Sequence, residues 1–204
     1  MNKDVLPDYH TKIDPCHPPN VASVWLATDK YPLEHVMRDR HMLALLCASW
    51  KGFGWTYQDN WLLTSTVHCD WYGVECDSSH RTIGLLADNY FSGSVPTEFG
   101  DMTALQFLFI NHNGLKGPVP SQLSQLRDLT KLYMQEKNLT GQVPAALATC
   151  GKLEIIDLSG NKLEGQLPDE ICNLRQLELK SMVPDCGDDA LQCVVPFCCS
   201  ECTP

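Results

Sequence analysis

Eleven cysteines and seven histidines are the residues of this 204-residue chain whose types invite chemistry. Thiols can pair, bind metal or act as nucleophiles, and imidazoles can ligate metals or carry protons. The cysteines crowd toward the two ends: Cys16, Cys47, Cys69 and Cys76 on one side, and Cys172, Cys186, Cys193, Cys198, Cys199 and Cys202 on the other, with Cys150 alone between them. That placement predicts disulfide-stapled ends in an oxidising compartment. Cys199 and Cys202 have C-x-x-C spacing, the rival zinc reading, but no second pair completes the ligand set. His10, His17, His35, His41, His68, His80 and His112 are scattered and form no familiar ligand pair. Nucleophile-elbow, metalloprotease and phosphate-loop patterns are all missing. Asp188 and Asp189 fall in a loop-like stretch where solvated carboxylates are expected. The expectation is a chain that is not an enzyme, with no catalytic residue, no metal and no cofactor.

The elements that must position these residues are repeats. Pro96, Pro120, Pro144 and Pro168 lie 24 residues apart, each preceded by the same order: Phe91, Gly93, Val95; Leu115, Gly117, Val119; Leu139, Gly141, Val143; Leu163, Gly165, Leu167. Further back, Leu105, Leu108, Ile110 and Asn113 read L-x-x-L-x-L-x-x-N, and Leu153, Ile156, Leu158 and Asn161 repeat it. The phrase is the signature of leucine-rich repeats: a short strand and a turn per unit, whose leucines are hidden only when units stack. Asparagine at the turn offers a donor and acceptors to backbone that has no other partner. The ending N-x-L-x-G-x-V/I/L-P resembles the plant-type subclass. The resemblance implies an α/β repeat fold, a short solenoid of four 24-residue units plus a partial fifth over 81–185. Three places depart from the pattern. Gly84 stands opposite Leu108, Lys137 takes an asparagine position, and Lys180, Met182 and Asp185 replace Ile, Leu and Asn in the fifth unit.

Both ends of such a stack need caps, because a terminal coil would show its leucines to water. Val36, Leu43, Leu46, Cys47 and Trp50 fall on one face of a helix running from Leu33 to about Trp50, with Arg38, Asp39 and Arg40 elsewhere. After it comes Cys69-Asp-Trp-Tyr-Gly-Val-Glu-Cys76, and residues 33–80 together resemble the amino-terminal cap of plant-type repeat proteins. That resemblance implies a Cys69–Cys76 bridge. Cys16 is expected to pin the irregular, proline-rich arm of residues 1–32 through Cys47, since both lie on the amino-terminal side. Residues 186–204 resemble the cysteine-rich carboxyl caps of secreted repeat proteins, most closely those of diatoms and related algae. Cys172, Cys186, Cys193, Cys198, Cys199 and Cys202 would share three bridges of open connectivity. Cys150 occupies the place of Leu126 one coil earlier, so it is expected as a buried, unpaired thiol.

Composition narrows the partners. A net charge of −10 argues against nucleic acid and anionic membrane, and no run of 18 apolar residues offers a span. The opening MNKDVLPDYH lacks the apolar core of a signal peptide, so the expectation of a secreted or cell-surface protein rests on the cysteines. Binding is the chemistry left. Residues flanking the inward leucines of each strand line the concave face. With the first coil in the same 24-residue register, these are Ile83, Phe107 and Lys131 in one column, Leu85, Phe109 and Tyr133 in the next, and His112 and Glu136 beyond. Clustered aromatics on rungs roughly 5 Å apart predict an interface, unless the 1–32 arm folds back over them. The ligand implied is a protein or peptide. The alternatives are a structural accessory subunit of a larger assembly, and carbohydrate binding at the aromatic strip. Asn138-Leu139-Thr140 is the one N-glycosylation acceptor, placed at a turn.

Overall fold

Each unit folds as one coil because its leucines can be hidden only against the coils on either side. The computed structural model describes residues 34–50, 61, 66–86, 91–135, 138–184, 191, 193, 198 and 199. Ten short strands follow the cap helix α1 (Glu34–Ser49). They are β1 (Val74–Cys76), β2 (Thr82–Leu86), β3 (Ser92–Gly93), β4 (Phe107–Phe109), β5 (Gly114–Gly117), β6 (Lys131–Tyr133), β7 (Asn138–Gly141), β8 (Ile155–Asp157), β9 (Lys162–Leu163) and β10 (Ser181–Val183). One sheet runs β1-β2-β4-β6-β8-β10 and a narrower one runs β3-β5-β7-β9. Apart from β1, which is antiparallel to β2, every pairing is parallel. Solenoid stacking dictates this, since successive coils run the same way.

The interior is a ladder of equivalent positions. Leu108, Leu132, Ile156 and Met182 are buried from the strands, and Leu105, Leu129, Leu153 and Leu179 from the approach to them. Leu115, Leu139 and Leu163 are buried from the second sheet. After the first three repeat prolines the chain turns through a short 3-10 segment, Thr97–Asp101, Ser121–Gln125 or Ala145–Thr149, which buries Phe99, Leu123 or Leu147. The recurring glycine before that proline has a conformational reason: Gly93, Gly117, Gly141 and Gly165 have φ of 111°, 84°, 77° and 85°, a region that side chains other than glycine's rarely enter. The turn asparagines stitch coils together. Asn113 accepts the Phe91 N–H at 2.8 Å and donates to the carbonyls of Ile110 and Asn111. Asn161 repeats the pattern, accepting from Leu139 and donating to Met134 and Leu158. Lys137, the substituted position between them, lies outside the described residues.

The register departs from a strict 24-residue repeat at both ends. Leu85, and not Gly84, pairs with Leu108; Gly84 pairs with Phe107 and Leu86 with Phe109. Strand β2 also carries a β-bulge against β1: Cys76 pairs with Thr82 while Glu75 pairs with Gly84, which leaves Ile83 as the extra residue. At the far end Met182 pairs with Ile156, and Ser181 with Ile155. Here helix α2 (Asp169–Asn173) runs into a 3-10 turn, Leu174–Gln176, longer than the turns of earlier coils. Leu179 therefore takes the buried place of Leu153 one coil earlier. Leu177, 24 residues after Leu153 and its match in a strict repeat, is 70% exposed, and Lys180 is exposed rather than inside.

The cap helix carries a second correction. Asp39 and Arg40, set off the apolar face in the helix pattern, are buried as well. The Asp39 Oδ2 accepts the Thr82 N–H at 2.7 Å, satisfying the first donor of β2. Arg40 donates to the Thr66 carbonyl at 2.7 Å, with its guanidinium 5.3 Å from the centre of the Trp71 ring. These two charges tie α1 to the first coil.

Candidate functional site

The wide sheet presents two columns of side chains away from the core. The register gives Gly84, Phe107, Lys131, Ile155 and Ser181 in the first, and Leu86, Phe109, Tyr133, Asp157 and Val183 in the second. Three of the expected residues come together. The rings of Phe107 and Phe109 have centroids 5.5 Å apart, and Phe109 meets Tyr133 edge-on at 4.8 Å. All three are half-buried. Lys131 is exposed beside Phe107 and Ile155.

Leu85 does not belong to this face. Paired with the buried Leu108, it faces inward, where it is 6% exposed and joins the core, and Leu86 takes its place beside Phe109. A one-residue slip moves a strand's side chains to the other face, which is why the sequence reading missed Leu86. Ile83 is half-buried at the bulge itself. His112 is exposed in the turn after β4 with φ of 53°, off the sheet. Glu136 lies outside the described residues, as do Cys16, Cys186, Cys202 and the arm of residues 1–32. Asp157 follows Tyr133 in the second column, before Val183. Its Oδ1 accepts both the N–H and the hydroxyl of Ser159, so the carboxylate is fixed in place next to Tyr133.

The cysteines are mostly consumed. Cys69 is joined to Cys76, Cys172 to Cys198, and Cys193 to Cys199; Cys47 is also in a disulfide. The tail bridges hold Leu191 and Cys198 buried at the carboxyl end of the core. His68, Cys69 and Cys76 are the one group among the described residues with ligand atoms close enough for a metal. Its two sulfurs are bonded to each other, so the donor set does not fit an ion. Cys150 is free and buried, its Sγ donating to the Leu123 carbonyl at 3.3 Å. Burial pushes its thiol up to about 11. The native protein is therefore expected to resist a thiol-alkylating reagent at pH 8 and to take up one label per chain at Cys150 only in denaturant. Labelling of Cys150 without denaturant would contradict its burial.

Asn138 is exposed, in strand β7 rather than a turn, and Thr140 is exposed beside it. It stands on the narrow sheet, away from the columns of the wide one.

Comparison with known proteins agrees with this architecture. The family model described as Leucine Rich Repeat matches residues 152–174. A plant ice-binding protein of known structure shares 33% identity over 71% of this chain, with a TM-score of 0.65; the chain spans 46% of that protein's length. The ectodomain of the receptor kinase SOBIR1 from Arabidopsis thaliana has the same fold at 23% identity, over 72% of this chain and 77% of its own, with a TM-score of 0.59. PEPR1, in its complex with AtPEP1, also shares the fold at 24% identity, over 76% of this chain and 24% of its own, with a TM-score of 0.56. No curated protein sequence matches the chain. With its 24-residue coils, asparagine ladder and two-sheet solenoid, the chain has the leucine-rich-repeat fold found in plant receptor ectodomains.

Proposed function

We propose that this chain is a non-catalytic recognition module, working outside the cell, that binds a protein or peptide on its concave sheet. One observation carries the reading: Phe107, Phe109 and Tyr133 form a contiguous, half-buried aromatic cluster on the outward side of a sheet of stacked coils. The partner's chemistry follows from the neighbours. Leu86 extends the apolar surface on one side and the fixed Asp157 carboxylate ends it on the other. A segment presenting an apolar side chain with a basic residue one or two rungs away fits this order, and the net charge of −10 steers a basic partner toward it. Stacked sugars fit less well. The ring planes are inclined at 42° and 88°, so no two rings offer a common platform. A glycan at Asn138 would stand on the narrow sheet and leave the concave face open.

The test is affinity capture from native extracts on immobilised wild-type protein, followed by titration of the captured partner against variants. Phe109→Ala, at the centre of the cluster, is expected to weaken binding by about 2 kcal/mol, roughly thirtyfold. Leu177→Ala, on the exposed convex end, is expected to change nothing. Equal affinity of the Phe109 variant and wild type would sink the site.

Likeness to a plant ice-binding protein supports a second reading, adsorption to ice. A repeated chemical group at lattice spacing is what a flat ice-adsorbing face requires. The exposed positions of the narrow sheet and its turns, Lys116, Asn138, Thr140, Lys162 and Glu164, differ from coil to coil. The recognition reading is therefore preferred, and a thermal-hysteresis assay separates the two.

A further inference from the structure

In the repeat pattern Gly84 is a fault, a missing leucine. The geometry gives it a use. Gly84 pairs with Phe107 across β2 and β4, and the Phe107 ring lies over it. A Cβ added to Gly84 would fall inside the ring, against its Cδ2, Cε2 and Cζ atoms. Gly84 is buried under that ring. Its φ is not among the positive values found at the turn glycines, so the backbone does not demand glycine here; the ring does. Phe107 so held touches Phe109, which in turn meets Tyr133.

We propose that Gly84 is a positioning residue for the concave recognition face: its absent side chain is the seat that fixes the Phe107 ring, and through it the Phe109 and Tyr133 rings, before any partner arrives. The proposal rests on the concave-face reading for its purpose, but the seat exists without a ligand and is tested without one. A preformed set of rings loses less freedom on binding than three independent side chains, so the seat acts on affinity by preorganisation. Lengthening Gly84 by one methyl leaves every contacting side chain chemically unchanged but takes the space that the Phe107 ring occupies, so the ring must move.

The experiment is a double-mutant cycle of wild type, Gly84→Ala, Phe107→Ala and the double variant. Two readouts are taken: ring-proton chemical shifts of Phe109 and Tyr133 in the free protein, and affinity for the captured partner. Gly84→Ala is expected to move the Phe109 and Tyr133 signals and weaken binding about tenfold when Phe107 is present, and to change affinity by less than about twofold when it is Ala. Ring signals unaffected by Gly84→Ala, or an equal response in both backgrounds, overturn the seat. Should Gly84→Ala alone fail to fold, recovery of folding in the double variant supports the seat, and failure of both overturns it. Signals that move while affinity stays constant overturn the role in recognition, leaving the seat as packing only. Failure of the concave-face reading itself shows separately, as unchanged affinity in Phe109→Ala.

Discussion

Acidification from pH 7 to 4 is expected to remove about 3 kcal/mol of folding stability through His68 alone. His68 is fully buried in the amino-terminal cap, packed edge-on to Trp71, and its Nδ1 has no hydrogen-bond partner. Burial, helped by the nearby positive charges of Arg40 and His80, lowers its pKa to about 4. In the unfolded chain the same imidazole titrates near 6.5. Between those values the unfolded state binds a proton that the folded state refuses. The stability is thus fully present above about pH 6.5 and lost as pH falls toward 4. A gap of about 2.5 units at 1.36 kcal/mol each sets the magnitude. Asp39 works in the opposite direction. Its burial raises its pKa, so the cost of keeping it charged is relieved as it protonates, which softens the loss at the acid end. Urea unfolding at pH 7, 5.5 and 4, with disulfides intact, measures the slope. His68→Gln, neutral throughout, should flatten the curve between 6.5 and 4, and a variant curve parallel to wild type would refute the assignment.

That buried histidine lies where the sequence was hard to read. The middle coils were legible because one period governs both their spacing and their burial: Phe107, Leu108 and Phe109 stand in register with Lys131, Leu132 and Tyr133, and the aromatic cluster follows. At the ends, other forces set the register. The cap strand β1 runs antiparallel with a bulge at Ile83, and β2 meets β4 one residue off the 24-residue period, which reverses the faces of Leu85 and Leu86. At the far end the longer α2 turn displaces the strand, so that Leu177 is exposed and Leu179 buried. Hydrophobic patterning sees neither insertion, because apolar residues are available in both registers. The helical period sets Asp39 and Arg40 only off the apolar face and does not show their burial. Their actual partners, the Thr82 N–H, the Thr66 carbonyl and the Trp71 ring, are distant in sequence and carry no local mark. Gly84 looked like damage for the same reason: its complement, the Phe107 ring, comes from the next coil.

Asn113→Ala is expected to cost about 3 kcal/mol. The side chain accepts from Phe91 and donates to Ile110 and Asn111, three hydrogen bonds of about 1 kcal/mol each, in a site only 8% exposed. Asn161 makes similar bonds but is half-buried, so water can replace part of what Asn161→Ala removes, and a smaller loss is expected there. Asn113→Asp discriminates hydrogen bonding from shape. Aspartate keeps the volume and the acceptor for Phe91, but turns a second oxygen toward two carbonyls. At pH 7 it should destabilise more than alanine does. Carbonyl neighbours and burial would raise its folded pKa above the unfolded value near 3.9, so part of the loss should be recovered as pH falls through that raised pKa. Denaturant midpoints of the three variants at pH 7 and 5 check the order, with wild type measured alongside to subtract the His68 slope. An aspartate variant as stable as wild type at pH 7 would show that the donors of Asn113 contribute nothing. The consequence reaches the concave face, because Asn113 braces the turn that follows β4, and β4 carries Phe107 and Phe109. Asn113→Ala should therefore also weaken partner binding, by less than Phe109→Ala, since it loosens the strand that carries the rings and leaves both rings in place.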